Sequence, residues 1–338
     1  MRILLIRFSA FGDIILTLPV IQKLKAQYPK AEITLVSRPY ISSLAEALEI
    51  DFFGADIDVK YNGFAGLVKL SKHLHKQYNP THVIDLHNVL RTKIIRNYFS
   101  LNGVKGSYLI KDRKAQKHLT QYPDKELKKL PHITKRYQNT INAAGIILDF
   151  NPLEDHLLKP KAELPIKITS ALNTRKKNIG LAPFSQHKSK QWPVTKIVTL
   201  INSLTADDYT IWLFGGKGDI PELNSLKEQL HADTEIIAGI LCLPQEILLM
   251  SKLDSVIAMD SSNMHMAAVS GTKVISIWGA THPFAGYAPL GHNDQGIIQI
   301  PDSQIDCRPC SVYGQKPCFR ADHACMEYIS PEKVKEKL

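Results

Sequence analysis

No stretch of the 338-residue chain approaches the ~18–20 consecutive apolar residues of a membrane-crossing helix. The opening MRILLIRFSAFGDIILTLPV is apolar enough to suggest a secretory signal. Arg7 and Asp13 interrupt the run, however, and no small-residue cleavage site follows, so the cytoplasm is the expected compartment. The chain has no internal repeat, no low-complexity tract and no nucleic-acid-binding motif of the usual kinds, which sets aside solenoids, disordered chains and sequence readers. It also lacks the G-x-G-x-x-G fingerprint of a dinucleotide fold, which disfavours a nicotinamide-dependent oxidoreductase. Cysteine is scarce, at five residues, yet four of them crowd into DCRPCSVYGQKPCFRADHAC as Cys307, Cys310, Cys318 and Cys325, leaving Cys242 apart.

Hydrophobic residues make up 44% of the chain, enough for a sizeable core. The formal charge of +10 points toward anionic partners. Short apolar runs alternate with helical periods. Ile3–Phe8, Ile33–Val36 and Val83–Leu86 read as strands, and Thr17–Tyr28 and Gly66–Lys76 as helices, with Pro19 expected to kink the first or to sit in its first turns. Beyond residue 145 the pattern lapses into a proline-bearing stretch without a period. Alternation then resumes: strands Asn178–Ala182, Thr210–Phe214, Ser255–Met259 and Lys273–Trp278, with helices Pro193–Leu204, Glu222–Leu230 and Asn263–Val269 between them. Such alternation implies parallel sheets covered on both faces. The expected division is residues 1–155 and 156–338, two Rossmann-like doubly wound domains facing a cleft.

Ligands of such sheets sit beyond the carboxyl ends of the strands. Asp13 follows the first strand and opens the first helix, either as a helix cap or as an ionised carboxylate facing the cleft. In KQWP, Lys190 precedes a helix where it can meet a diphosphate, and Ser185 can offer a hydroxyl to the same anion. In MDSSNMHMAA a strand ends at Asp260, and Ser261, Ser262 and the helix carrying His265 form an anion-binding turn; capping with a packed His265 is the plainer alternative. In LFGGKGD, a tight turn suffices to explain Gly215 and Gly216, although they lie on the same edge and could touch a nucleoside. Asp56-Ile57-Asp58 mimics a metal-binding D-x-D but falls in an alternating, strand-like stretch. Met264 and Met266 read as packing.

These stretches, in order, resemble the lipopolysaccharide heptosyltransferases of glycosyltransferase family nine: FGDIILTLPVI, DLHNVLRT, KQWP, FGGKGD, MDSSNMHMAA and GATHP. The resemblance implies the GT-B architecture, an N-terminal acceptor-binding domain and a C-terminal nucleotide-sugar-binding domain. It implies inverting transfer of a heptose from ADP-L-glycero-D-manno-heptose onto the inner core of lipopolysaccharide. On it, Asp13 matches the catalytic base and Lys190 the leaving-group lysine. Asp260, Ser261 and His265 fall on the nucleotide-sugar side, and Asp85, His87 and Arg91 on the acceptor-side motif. Ser262 stands where the family usually has glycine. Without a convincing metal motif, the chemistry is expected to need no cofactor, the diphosphate being met by Lys190, hydroxyls and a helix N-terminus. The alternatives are a same-family transferase with another nucleotide sugar or surface-glycan acceptor, and a nucleotide-sugar-binding protein without turnover.

Residues 111–136 hold nine Lys/Arg against three Asp/Glu. Placed in the first domain, they would dock on an anionic glycolipid at the inner membrane surface, unless they are an ordinary solvated face. The four clustered cysteines leave a structural zinc and free thiols both open, with disulfides disfavoured in the cytoplasm.

Overall fold

The computed structural model describes residues 1–172, 175–204, 208–292 and 294–338. The chain forms two compact units. One comprises Met1–Lys111 and Ile133–Lys161, the other Asp112–His132 and Ala162–Leu338.

The first unit is built on five strands: β1 (Arg2–Ile6), β2 (Glu32–Ser37), β3 (Asp51–Gly54), β4 (His82–Asp85) and β5 (Lys105–Tyr108), ordered β3-β2-β1-β4-β5. Every pairing is parallel. The RILLI of β1 is an unbroken apolar run because its residues from Ile3 on are buried on both faces, as in a covered parallel sheet. Ile6 at its end lies opposite Val36 and Asp85. The loops after β1, β2 and β4 therefore open on one edge. The first helix runs Phe11–Gln27, starting well before Thr17, with nine buried residues and Pro19 in its interior instead of its first turns. A helix buried so widely has no polar stripe to mark where it begins. The edge strands β3 and β5 escape a period-based reading because each is only four residues long, carries a glycine and is mostly exposed or half-buried.

The second unit holds six parallel strands: β6 (Lys177–Ala182), β7 (Tyr209–Leu213), β8 (Asp233–Ile236), β9 (Ser255–Met259), β10 (Val274–Trp278) and β11 (Ile297–Gln299), ordered β11-β10-β9-β6-β7-β8. Its core interleaves β6, β7, β9 and β10 with Trp192, Ile197, Leu223 and the C-terminal Met326 and Ile329. Among the described residues no helix is long and apolar enough to cross a membrane.

Two expectations need correction. Most of the basic stretch, Asp112–His132, packs in the second unit and not in the first domain. Leu119 and Leu130 bury against Ala285, Phe284, Tyr287 and Val312, and the Leu130 N–H donates to the Phe284 carbonyl at 2.8 Å. The Lys125 ammonium donates to the Arg308 carbonyl at 2.7 Å. Apolar anchors, not the cations, decide where that segment lies. Second, Asp56 and Asp58 sit on a turn after β3 and not on a strand. There Asp56 accepts the Val59 N–H at 3.0 Å and Asp58 pairs with Arg38.

Candidate active site

In a doubly wound sheet the binding crevice forms where strand order reverses. In the first unit that point lies between β1 and β4, and in the second between β6 and β9. Most residues singled out from sequence fall on the loops and helix starts at these two points, while Gly215 and Gly216 follow the neighbouring strand β7.

At the first switch point, Asp13 is the third residue of its helix. Its Oδ2 pairs with the Arg7 guanidinium at 2.6 Å and accepts the Ala10 N–H at 3.2 Å. Asp13 thus takes part in capping its helix while pairing with Arg7. Its Oδ1 accepts from the Tyr137 hydroxyl at 3.4 Å. Burial and the neighbouring carboxylate raise the Tyr137 pKa, so the phenol stays a donor. Arg7, buried just beyond β1, also donates to the Leu86 carbonyl, tying the β1 and β4 loops together. Arg7 and Tyr137 were not read as functional from the sequence. A charge one residue past a buried strand was the available signal for Arg7; nothing local pointed to Tyr137.

His87 lies across the same switch point, with its Nε2 3.2 Å from the Ser9 Oγ. Burial, then the charges of Arg7, Lys111, Arg91 and Arg38, push its pKa down to about 3, so the ring is neutral near pH 7. Asp85 is fully buried and holds the turn together. Its Oδ1 accepts the N–H groups of His87 at 3.0 Å and Asn88 at 2.7 Å, and its Oδ2 meets Arg96 at 3.2 Å. Arg91 is exposed and reaches Asp58 at 4.0 Å.

At the second switch point, Lys190 Nζ lies 3.0 Å from Asp260 Oδ2, with only about a tenth of either side chain exposed (13% and 10%). The same oxygen accepts from the Thr281 hydroxyl at 2.7 Å, which gives the threonine of GATHP its role. The KQWP loop is fixed by Trp192, whose indole N–H donates to the Ile329 carbonyl at 3.1 Å. Gly314 packs on the Lys190 stem so closely that a Cβ there would lie 2.3 Å from its Cδ. Ser185 donates to the Asp260 carbonyl at 3.3 Å. Ser261 is the N-cap of the helix Ser262–Ser270, and its hydroxyl oxygen is buried without a partner among the described residues. Ser262 opens that helix, and His265 is buried in it.

The glycine turn after β7 is closed by Asp219, whose carboxylate accepts the Gly216 N–H at 2.8 Å. A Cβ on Gly215 would lie 3.0 Å from Asp219 and 3.1 Å from Leu223, so a tight turn accounts for both glycines.

The cysteine-rich segment is held differently from the zinc expectation. All five cysteines are free, and among the described residues no group of three or more His, Cys, Asp or Glu side chains is placed to hold a metal ion. Burial pushes the Cys325 thiol up to about 12 and raises Cys307 and Cys310, with the neighbouring cysteines adding to each shift. The zinc expectation therefore finds no support. Arg308, 1% exposed, anchors the loop instead. Its guanidinium donates to the carbonyls of Gly279, Ile300 and Thr281 at 2.9–3.1 Å and to Gln299 Oε1 at 2.9 Å.

Residues 60–316 match the family model "Glycosyltransferase family 9 (heptosyltransferase)". The chain belongs to glycosyltransferase family 9. It is a glycosyltransferase of two parallel-sheet α/β domains. It is 26% identical to the lipooligosaccharide heptosyltransferase 2 of Haemophilus influenzae, over 100% of this chain and 98% of the relative. A family 9 glycosyl transferase from Veillonella parvula superposes with a TM-score of 0.74 at 19% identity, over 99% of this chain and 95% of that one. The ADP-heptose lps heptosyltransferase II of Escherichia coli does so with a TM-score of 0.66 at 18% identity, over 100% and 97%.

Proposed function

We propose that this glycosyltransferase moves a heptose from ADP-L-glycero-D-manno-heptose onto the inner core of lipopolysaccharide, with inversion. In this reading the first unit holds the acceptor and the second the nucleotide sugar. The observation that carries it is Ser261, a buried hydroxyl without a partner among the described residues. It stands at a helix N-terminus on the switch point of the second sheet, on the residue after Asp260, the partner of Lys190. A buried polar atom left unpaired is costly, and an anionic oxygen of a diphosphate would satisfy it. Similarity to two heptosyltransferases supports the sugar, and similarity to the Escherichia coli ADP-heptose enzyme supports the adenine nucleotide.

The acceptor hydroxyl oxygen attacks the anomeric carbon and loses its proton to Asp13 Oδ1. The bond from that carbon to the diphosphate oxygen breaks, and ADP departs with the electron pair. Arg7 and Tyr137 hold the carboxylate in place. Charge growing on the leaving group is met by Lys190, the Ser261 hydroxyl and the N–H groups opening the helix after it. Neutral His87 offers the acceptor a hydrogen bond without repelling the nearby cations.

Thermal-shift titration with ADP, UDP, GDP and NAD tests the donor base. Stabilisation by ADP above the others is expected, and equal or absent shifts would overturn it. Transfer to heptose-deficient lipopolysaccharide, followed by mass, tests the sugar and the acceptor.

A further inference from the structure

Exposed large apolar side chains scattered singly need no explanation. In the first unit five of them follow strands at one edge, whereas Met1 precedes β1, Leu101 ends a helix, and Ile147, Leu153 and Leu157 lie beyond the helix Ile133–Ala143. Tyr40 follows β2, Val59 and Phe64 follow β3, Leu90 follows β4 and Ile110 follows β5, with exposures of 50% to 80%. After the central strand β1, Phe11 stands edge-on to Tyr40, ring centroids 5.9 Å apart. Because all five strands run parallel, these residues share the carboxyl edge of the sheet. At about 4.8 Å per strand that edge is roughly 19 Å wide.

The same loops and helix starts carry Arg38, Lys60, Arg91, Lys93 and Lys111. Against them stand Asp56, whose Oδ1 caps the Val59 N–H, and Asp58, paired with Arg38. Asp13, also on this edge, is held by Arg7. The rim is thus apolar and net basic at once.

We propose that this rim, and not the Asp112–His132 segment, is the surface by which the protein docks on an anionic lipid bilayer. Apolar side chains spaced between cations suit an interface where Phe, Leu and Ile enter below the headgroups while Lys and Arg meet their phosphates. A protein partner would be met by a contiguous apolar patch instead. The docking deepens the reading above and rests on it for its purpose: a lipid-linked sugar would arrive at the edge that carries Asp13 and His87. Asp112–His132 is the poorer candidate because Leu119 and Leu130 are buried in the second unit, which leaves Tyr122 as its exposed large apolar side chain where the rim has five.

The test is co-sedimentation of the full chain with vesicles of phosphatidylethanolamine and phosphatidylglycerol, against vesicles of phosphatidylcholine. Three variants are compared: V59S/F64S/L90S/I110S, K60E/K93E and, in the second unit, K114E/K117E/K128E/K129E. Preference for the anionic vesicles is expected, weakening as salt rises. Each rim variant should lose about tenfold or more in vesicle affinity while keeping its melting temperature and ADP affinity; the second-unit variant should bind like the parent. Rim variants that bind vesicles as the parent does, or a loss confined to the second-unit variant, would overturn the proposal. So would rim variants that abolish a dimer seen by sizing while leaving vesicle binding intact. Loss of vesicle binding in the rim variants of a protein that ignores ADP would uphold the docking and sink the donor reading.

Discussion

Lys190 and Asp260 form a nearly buried ion pair 3.0 Å long at the switch point of the second sheet, and Thr281 donates to the same carboxylate oxygen. The cation assigned to the leaving group is therefore held in place before any substrate arrives. A diphosphate does not have to recruit it from solvent.

Lys190→Ala should weaken ADP binding and lower kcat together, since the charge it meets grows in the transition state. It should also cost about 3 kcal/mol of stability by leaving the nearly buried Asp260 carboxylate without its cation. The double variant K190A/D260A should be less destabilised than the two single losses summed. Urea unfolding and ADP titration of all four proteins measure both effects. Unchanged ADP affinity in Lys190→Ala would remove the lysine from the site.

Asp13→Asn keeps the shape and can still accept the Ala10 N–H through its amide oxygen, but it cannot take the acceptor proton. Turnover should fall about 10²–10⁴-fold with ADP affinity unchanged. Wild-type kcat would reduce Asp13 to a partner for Arg7 and a cap for its helix.

Arg308→Met withdraws the donors that pin the cysteine-rich loop to Gly279, Thr281, Gln299 and Ile300. A loss of about 3–5 kcal/mol is expected, while a chelator should leave the melting temperature of the parent where it was. A chelator-induced drop, with stoichiometric zinc by elemental analysis, would bring the metal back and reduce Arg308 to a secondary role.

The stability profile with pH carries two opposed signatures. Burial pushes Glu246 up to about 8, so between its ordinary value of 4.5 and about 8 the folded state holds a proton that the unfolded state has lost. That contribution is full below pH 4.5 and is lost as pH rises through 8. His87, depressed to about 3, acts the other way: it is neutral in the fold while the unfolded ring protonates below 6.5, so stability falls as pH drops from 6.5 toward 3. Between pH 6.5 and 8 Glu246 acts without His87. Glu246→Gln should therefore remove a decline of at most about 1.4 kcal/mol per pH unit there. An unaltered slope in denaturant midpoints across that range would show that Glu246 is ionised in the fold.

What the sequence by itself determined is local. A parallel α/β chain reads out because buried strands are short apolar runs and covered helices repeat every 3.6 residues. Ser255–Met259 was legible to the residue, and Asn178–Ala182 within one. The turn residues Asp13, Lys190, Asp260 and Ser261 were legible as candidates because strand ends and helix starts converge on them. The tertiary structure decided which partner each would have. Tyr137 reaches Asp13 across 124 positions of sequence, and Thr281 reaches Asp260 across 21. It also decided that Arg308 would hold the loop where four cysteines had suggested a metal, and that Leu119 and Leu130 would carry a basic segment into the second unit. The reason is physical: periodicity records how much of a residue is buried, whereas an ion pair or an anchor depends on which strands lie side by side. That order is set by the packing of the whole sheet.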